Sequence, residues 1–277
     1  MRTTSKLLTA TYRFGGLLFL FLLSETNLFA VEKLILTGSS TVAPLMSVIG
    51  KRFESSHPSI RVDVQTGGSS RGIADTRQGL ANIGMVSRSL SSNEHDLKFF
   101  TIARDGICLI VNKANMIKEL SDQQIIDIYT GKIKNWSEVG GKKAPITVVN
   151  KADGRSTLEL FLKYFSLKSS SIKAHVVIGD NEQGLKTVAG DPNAIGYVSI
   201  GAAEYSHTHK APIKLLPISG VAASIKNVEN GSFPLSRPLN LVTKALPKGL
   251  EKNFITFARS KEVSDLIRRQ YFVPVAN

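Results

Sequence analysis

The stretch Leu34-Ile-Leu-Thr-Gly-Ser-Ser-Thr-Val-Ala-Pro44 joins a short apolar strand, a hydroxyl-rich turn and the start of a helix. The first four N–H groups of a helix have no partner within it, and this end carries partial positive charge. Hydroxyl-rich turns at such an end can hold a phosphate-like anion. The stretch therefore predicts half of an anion site, although an ordinary connection with a Ser or Thr cap has the same pattern.

The same strand, turn and helix unit recurs twice. Ile60–Val64 leads into Gly67-Gly-Ser-Ser-Arg-Gly72, and Ile146–Val149 leads into Asp153-Gly-Arg-Ser-Thr157. Alternating strands and helices predict an α/β fold with parallel strands, in which ligands bind at the carboxyl edge of the sheet. Three such turns, two of them with an arginine, favour one shared anion site over three unrelated helix caps.

Other strands can be predicted from the apolar pattern. Ile83–Val86 is followed by Ser87-Arg88-Ser89, which places polar side chains at the same edge. Phe99–Ala103 and Gly106–Asn112 are predicted as two strands, with Asp105 in an Asp-Gly turn between them. Gly231–Thr243 contains two prolines and then alternates apolar and polar residues, which predicts an edge-strand crossover.

The first thirty residues have the layout of a signal peptide. Arg2, Lys6 and Arg13 precede the apolar run Phe14–Leu23, and Asn27–Ala30 ends in a small residue suited to cleavage. The run is shorter than the ~20 residues of a spanning helix. We therefore predict that residues 1–30 are a cleaved signal and that the mature chain is periplasmic.

Composition narrows the possible functions. The formal net charge is +13, but the basic residues are scattered and do not alternate with aromatic ones, so no nucleic-acid partner is predicted. The single cysteine, Cys108, lies in an apolar strand and is interpreted as a buried packing residue. No internal disulfide is possible with one cysteine.

An enzyme would need a nucleophile with a base, paired carboxylates or a metal set. The five histidines fall in no nucleophile-elbow or HExxH pattern, and His207 and His209 lack visible carboxylate or cysteine companions. The chain is therefore predicted to be non-catalytic, with no metal and no cofactor. A secreted phosphatase that uses a serine of one turn is kept as an alternative.

Anion binding fits the same residues better. A tetrahedral oxyanion needs many hydrogen-bond donors, which hydroxyls and amides at helix starts provide, and an arginine adds a bidentate contact. A carboxylate in the site would repel a fully deprotonated anion but accept a hydrogen bond from P–OH, which selects phosphate over sulfate. Asp105 and Asp153 are the candidates for this carboxylate.

Several motifs together resemble one family. They are Leu36–Pro44, Gly67–Ile73, Ile83–Arg88, Asp105–Ile107, Ile128–Gly131 with Trp136-Ser137, Gly196–Ser199 and Phe233–Pro238. In this order they resemble the periplasmic phosphate-binding proteins, the substrate-binding subunits of phosphate ABC transporters, in their shorter-chain branch. The resemblance covers residues 33–277.

The resemblance implies a type II periplasmic-binding-protein fold, in which two α/β lobes joined by two crossover strands close over a central ligand cleft. Lobe I would comprise residues 31–112 plus 218–277, and lobe II residues 113–217. The implied ligand is inorganic phosphate, the implied partner is the membrane permease of an ABC transporter, and the implied state is a monomer. A receptor or sensor for sulfate, molybdate or a phosphonate is the alternative within the binding class.

The resemblance also implies a set of phosphate contacts. They are Ser40, Thr41, Ser69, Ser70, Ser87, Arg88, Ser156 and Thr157. Some relatives have an aspartate where Ser87 stands, so a proton-sensing role would either fall to Asp105 or be absent. Many have an upstream arginine where this chain has Lys151. The main cation is thus open among Arg155, Arg88, Arg71 and Lys151, and we favour Arg155 because it lies at a helix start.

Overall fold

A computed structural model of the protein describes residues 31–275. Its strands are β1 (Glu32–Gly38), β2 (Ile60–Thr66), β3 (Ile83–Val86), β4 (Lys98–Asn112), β5 (Thr147–Lys151), β6 (Val176–Ile178), β7 (Ala194–Ser199), β8 (Ile213–Leu216), β9 (Ser236–Thr243) and β10 (Val273–Pro274). Its α-helices are α1 (Ala43–Ser56), α2 (Ser69–Gln78), α3 (Asp122–Tyr129), α4 (Ser156–Tyr164), α5 (Asn181–Gly190), α6 (Ile200–Thr208), α7 (Ile225–Glu229), α8 (Gly249–Ala258) and α9 (Ser264–Arg269). The predicted signal peptide lies outside the described residues.

The strand order places two parallel groups on either side of an antiparallel pair. It is β2-β1-β3-β9-β4-β7-β5-β6, and β8 and β10 each also pair with β4. β1 is parallel to β2 and β3, and β5 is parallel to β6 and β7. β9 runs antiparallel to both β3 and β4. Each parallel group is built from the strand and helix units that the sequence predicts.

Two separate hydrophobic cores accompany the two groups. The first core is the cluster that includes Leu36, Ile49 and Phe254, and it packs α1 and α8 against β1. The second core is the cluster that includes Phe161 on α4 and Tyr197 on β7. The rings of these two residues are stacked, with their centroids 4.0 Å apart. Burial of this apolar area is the main favourable term in folding, so each group of strands is stabilised mainly by its own core.

β4 corrects the prediction of two strands with a turn at Asp105. It is one strand of 15 residues, and Asp105 lies inside it. Its first part pairs with β9 as far as Gly106, and its second part pairs with β7 and β8 from Ile107 onward. A side chain at Gly106 would come within 2.6 Å of Ile200, so glycine here permits close packing and does not make a turn.

β9 corrects the edge-strand prediction, because it lies in the middle of the sheet between β3 and β4. Its proline is tolerated there for a positional reason. Pro238 faces Arg104 on β4, whereas the ladder to β3 begins only at Asn240. The missing N–H of the proline therefore interrupts no bond to β3.

Local predictions are confirmed where short-range chemistry decides them. α1 ends at Ser56, before His57-Pro58, and Ser121 caps α3 by accepting a hydrogen bond from the N–H of Gln124. Trp136 and Cys108 are buried, as expected for packing residues. Within residues 31–275, no helix has both the length and the apolarity needed to cross a membrane.

Candidate functional site

The starts of four helices meet at the carboxyl ends of the parallel strands. α1, α2 and α4 are the three starts that the sequence predicts, and α5 is a fourth. The N–H of Ser70 in α2 donates to the carbonyl of Gly154 before α4 at 3.3 Å. The amide of Asn181 in α5 donates to the hydroxyl of Thr41 before α1 at 3.1 Å. The partial positive charges of these helix ends therefore add up in one place.

Arg237 on β9 lies at the centre of this place. Its side chain and that of Asp105 are both 0% exposed. Its Nη2 and Nε donate to Oδ2 of Asp105 at 2.8 and 3.1 Å. The N–H of Gly201 donates to the other oxygen of Asp105 at 3.2 Å. The two buried charges compensate each other, and Asp105 fixes the direction of the guanidinium.

Hydroxyl groups occupy the remaining directions around Arg237. Its Nη1 donates to Oγ1 of Thr157 at 3.0 Å and lies 3.4 Å from Oγ of Ser87. Its Nη2 donates to Oγ1 of Thr41 at 3.2 Å. Four predicted site residues, Thr41, Ser87, Asp105 and Thr157, thus contact one guanidinium, and we call these five residues the Arg237 cluster.

Ser87 is held in place by two other serines. The hydroxyl of Ser39 donates to Oγ of Ser87 at 2.9 Å. The N–H of Ser87 donates to Oγ of Ser69, the first residue of α2, at 3.2 Å. The predicted residue Ser69 therefore positions the end of β3 against the Arg237 cluster.

Lys151, at the end of β5, is a second buried cation. Its Nζ donates to Oδ1 of Asn181 at 3.1 Å, and this amide contacts Thr41 in turn. Among the described residues no carboxylate forms an ion pair with it. Burial, and after it the positive charge of Arg237, lower the pKa of Lys151 to about 7. An ammonium has three N–H donors, so Lys151 can still donate to an anion.

The start of α4 offers further unused donors. Oγ of Ser156 and Nε of Arg155 are buried and have no hydrogen-bond partner within the part of the chain that the structure describes. Arg155 occupies the position before the helix without capping it. Gly68, at φ +97°, lies so close that a side chain there would come within 2.5 Å of the carbonyl of Gly154. The second and third turns therefore lie against each other.

Arg88 is engaged away from the Arg237 cluster. Its Nη1 and Nη2 donate to the two carboxylate oxygens of Glu94 at 2.8 and 2.9 Å. Its Nε lies 2.6 Å from Oε2 of Glu159 on α4, whose other oxygen accepts from the hydroxyl of Ser70 at 3.2 Å. Burial acts to raise the pKa of Glu94, but the hydrogen bonds from Arg88 and Ser91 outweigh it and lower this pKa to about 2.

Three other candidates lie at the margins of the site. Ser40 is half-buried and lines an open groove of about 550 Å³ together with Thr41 and Asp180. Asp153 is exposed and accepts a hydrogen bond from Ser169 at 3.2 Å. Arg71 forms an ion pair with Asp75 on its own helix at 3.1 Å. None of these three forms a hydrogen bond to Arg237 within residues 31–275.

Two residues of the site were not predicted from the sequence as site residues. Arg237 lies in the Phe233–Pro238 motif and is the single charged residue between Leu235 and Val242, a signal that marks a buried charge with a function or a partner. Asn181 had no such signal, because an asparagine at a helix start is a common cap. No group of three or more His, Cys, Asp or Glu within residues 31–275 is arranged to hold a metal ion.

Comparison with known proteins identifies the class. Residues 24–262 match the model of the PBP superfamily domain, and the chain belongs to this superfamily. Its relatives include the phosphate-binding protein PstS of Bacillus subtilis (strain 168), which is 30% identical over 253 residues, or 90% of this chain and 82% of the relative.

Solved structures agree with this placement. A phosphate ABC transporter substrate-binding protein from Clostridium perfringens, solved with bound phosphate, is 34% identical with a TM-score of 0.81 and covers 88% of this chain and 100% of its own. An ABC-type phosphate transport receptor from Vibrio cholerae is 29% identical with a TM-score of 0.72, covering 87% and 100%. The predicted fold class, two α/β lobes of the type II periplasmic-binding fold, is confirmed.

Proposed function

We propose that the protein is a non-catalytic extracytoplasmic receptor that binds inorganic phosphate between its lobes and delivers it to an ABC permease. The observation that supports this most directly is the meeting of four helix starts and three hydroxyls at the buried Arg237. A relative with 34% identity was solved with phosphate bound. Helix starts, hydroxyls and an arginine are the donors that a tetrahedral oxyanion requires.

The charged groups in and around the Arg237 cluster have different roles in binding. Asp105 cancels the charge of Arg237, so the net attraction for the anion comes from Lys151, from Arg155 and from the helix ends. The hydroxyls of Thr41, Ser87, Ser156 and Thr157 can each donate to a phosphate oxygen or accept from P–OH. We propose that Asp105 orients Arg237 and that these hydroxyls accept the hydrogen bond from the P–OH group of the ligand.

The lobe division is part of the proposal. Residues 31–112 plus 218–277 would form lobe I and residues 113–217 lobe II. The two hydrophobic cores support two lobes but with shifted bounds, because Ile218, Val228 and Leu235 also pack in the second core. The packing of Ile107–Val111 in the second core favours a boundary near Gly106, in the middle of β4. The two strands that meet there, β4 and β9, would act as the crossover on which the lobes turn.

Location and partners follow from the same role. We propose that residues 1–30 direct export and are removed, that the mature chain acts in the periplasm as a monomer, and that it meets the permease of a phosphate transporter. Neither the sulfate, molybdate or phosphonate receptor nor the serine phosphatase gains support from a specific contact in the site.

Isothermal titration calorimetry with phosphate, sulfate and molybdate tests the proposal. We expect saturable binding of phosphate at one site, which a large excess of sulfate does not displace. Tighter binding of sulfate or molybdate would mean that the protein is a receptor for that oxyanion and not for phosphate. Release of phosphate from a phosphomonoester, if one Ser→Ala change abolishes it, would mean that the protein is a phosphatase and not a receptor.

A further inference from the structure

Glu159 joins the two lobes at a point outside the Arg237 cluster. It lies on α4, which Leu158 and Phe161 anchor in the second core. Its carboxylate contacts Ser70 on α2 at 3.2 Å and Arg88 after β3 at 2.6 Å. Both partners come from the chain segment that builds the sheet of the first core. One carboxylate therefore spans the cleft with two contacts.

Glu159 does not share the contacts of the central arginine. Among residues 31–275, no hydrogen bond joins it to any member of the Arg237 cluster. Its side chain is 36% exposed, whereas those of Arg237 and Asp105 are 0% exposed. An ion pair at this depth acts in a partly aqueous environment and is weakened by salt.

Arg88 has a partner that does not depend on the cleft. Glu94 is six residues along the same segment and binds the guanidinium at both Nη atoms. If the lobes separate, Arg88 keeps Glu94 and Glu159 moves into water, so no buried charge is left alone. The contact between Arg88 and Glu159 can therefore break at small cost and form again, as a reversible contact between moving parts must.

We propose that Glu159, held by Arg88 and Ser70, is a clasp that stabilises the closed cleft and slows release of the bound anion without touching it. This inference rests on the proposed receptor function. A positioning residue of this kind changes the dissociation rate more than the association rate, because the contact forms only when the lobes close. It leaves the direct donors to the anion unchanged.

The test compares Glu159→Gln with Glu119→Gln in the exported, purified protein. Glu119 is an exposed glutamate of the same predicted lobe, so its change removes the same charge away from the cleft. Calorimetry gives the dissociation constant for phosphate, and rapid filtration with radiolabelled phosphate gives the release rate. A thermal melt checks that each variant is folded.

At low salt we expect Glu159→Gln to release phosphate roughly two- to fivefold faster, as an exposed or partly buried ion pair allows. The association rate should stay unchanged, the difference from the wild type should shrink at high salt, and Glu119→Gln should match the wild type. Equal release rates for the wild type and Glu159→Gln at low salt would overturn the clasp.

Failure of the receptor function is distinguishable from failure of the clasp. If the wild type binds no phosphate, the proposed function fails. The clasp is then judged by small-angle X-ray scattering of wild type and Glu159→Gln without ligand. A larger radius of gyration in the variant alone supports it, and identical radii overturn it.

Discussion

Arg237 and Arg88 both lie near the cleft and both bind carboxylates, yet their surroundings differ. Arg237 is fully buried, and its partner Asp105 is 132 residues away in the chain. Arg88 is 12% exposed, and its main partner Glu94 is six residues away. The first arginine can be placed only by the complete fold, whereas the second is placed by its own segment.

This difference separates two tasks. The Arg237 cluster gathers hydroxyls from three distant segments, so its geometry depends on the complete fold. Arg88 and Glu94 form an ion pair within one segment of the chain, and Glu159 on α4 contacts this pair through Arg88. Four changes, ordered by expected effect, can break or sharpen this contrast.

Arg237→Met should have the largest effect, because it leaves Asp105 buried without a charge partner. We expect the free energy of unfolding to fall by about 3–5 kcal/mol. Urea denaturation measures this, and calorimetry should detect no phosphate binding. The double variant D105N/R237M should recover much of the stability without binding. A loss of stability no greater than that of Arg88→Met would refute the contrast.

Glu94→Gln should have a smaller effect on stability, about 1.5–3 kcal/mol near neutral pH, because a hydrogen bond to a charged group is lost. The folded-state pKa of Glu94, about 2, lies below its ordinary value of 4.5. Its stabilisation is therefore present above pH 4.5 and is lost as the pH falls toward 2. Denaturation curves of variant and wild type should converge over this range, and a constant difference would contradict the assignment.

Lys151→Arg tests whether Lys151 contributes to anion binding, through the pH dependence of the phosphate affinity. With a pKa of about 7, Lys151 is charged in the free protein below this pH and neutral above it. Binding an anion above pH 7 must then recruit a proton, so affinity should decrease with rising pH, by up to about tenfold per unit. Arginine stays charged.

Comparing Lys151→Arg with the wild type at each pH cancels the ionisation of phosphate itself. We expect the affinity ratio of wild type to variant to fall between pH 7 and 9 in calorimetric titrations. A ratio that does not change with pH would mean that Lys151 stays charged, or lies too far from the ligand to respond to it.

Ser156→Ala should have the smallest effect on stability, because its hydroxyl has no hydrogen-bond partner among residues 31–275. We expect an unchanged melting temperature and phosphate affinity weaker by about 1 kcal/mol, the value of one hydrogen bond. Thr157→Val is the matched control, since its hydroxyl accepts from Arg237 and its loss should reduce both quantities. An unchanged affinity of Ser156→Ala would remove this hydroxyl from the binding site.

The sequence predicts those parts of the molecule that short-range chemistry determines. The three strand and helix units, the caps and the hydroxyl turns depend on neighbours within a few residues, and the fold class follows from their order. The sequence predicts Thr41, Ser87 and Thr157 as candidates for this reason. Their placement around one guanidinium depends on the whole chain.

The features of the fold and the site that the sequence does not predict depend on contacts between distant segments. An Asp-Gly pair favours a turn, but Asp105 stays within a strand because Arg237 and the ladders to β9 and β7 hold it there. The sequence does not predict Arg237 as a site residue, because Pro234 and Pro238 beside it favour an edge strand. The sequence predicts a ligand role for Arg88, because it does not show that Glu94 and Glu159 contact this arginine.

The short strand β10 has a practical consequence for experiments. Val273 and Pro274 pair with Arg104 and Ala103, directly beside Asp105. A fluorescent protein or surface tether fused to the carboxyl terminus would thus pull on the strand that holds the central aspartate. A reporter of ligand binding is better attached at an exposed position outside the Arg237 cluster, such as Glu119.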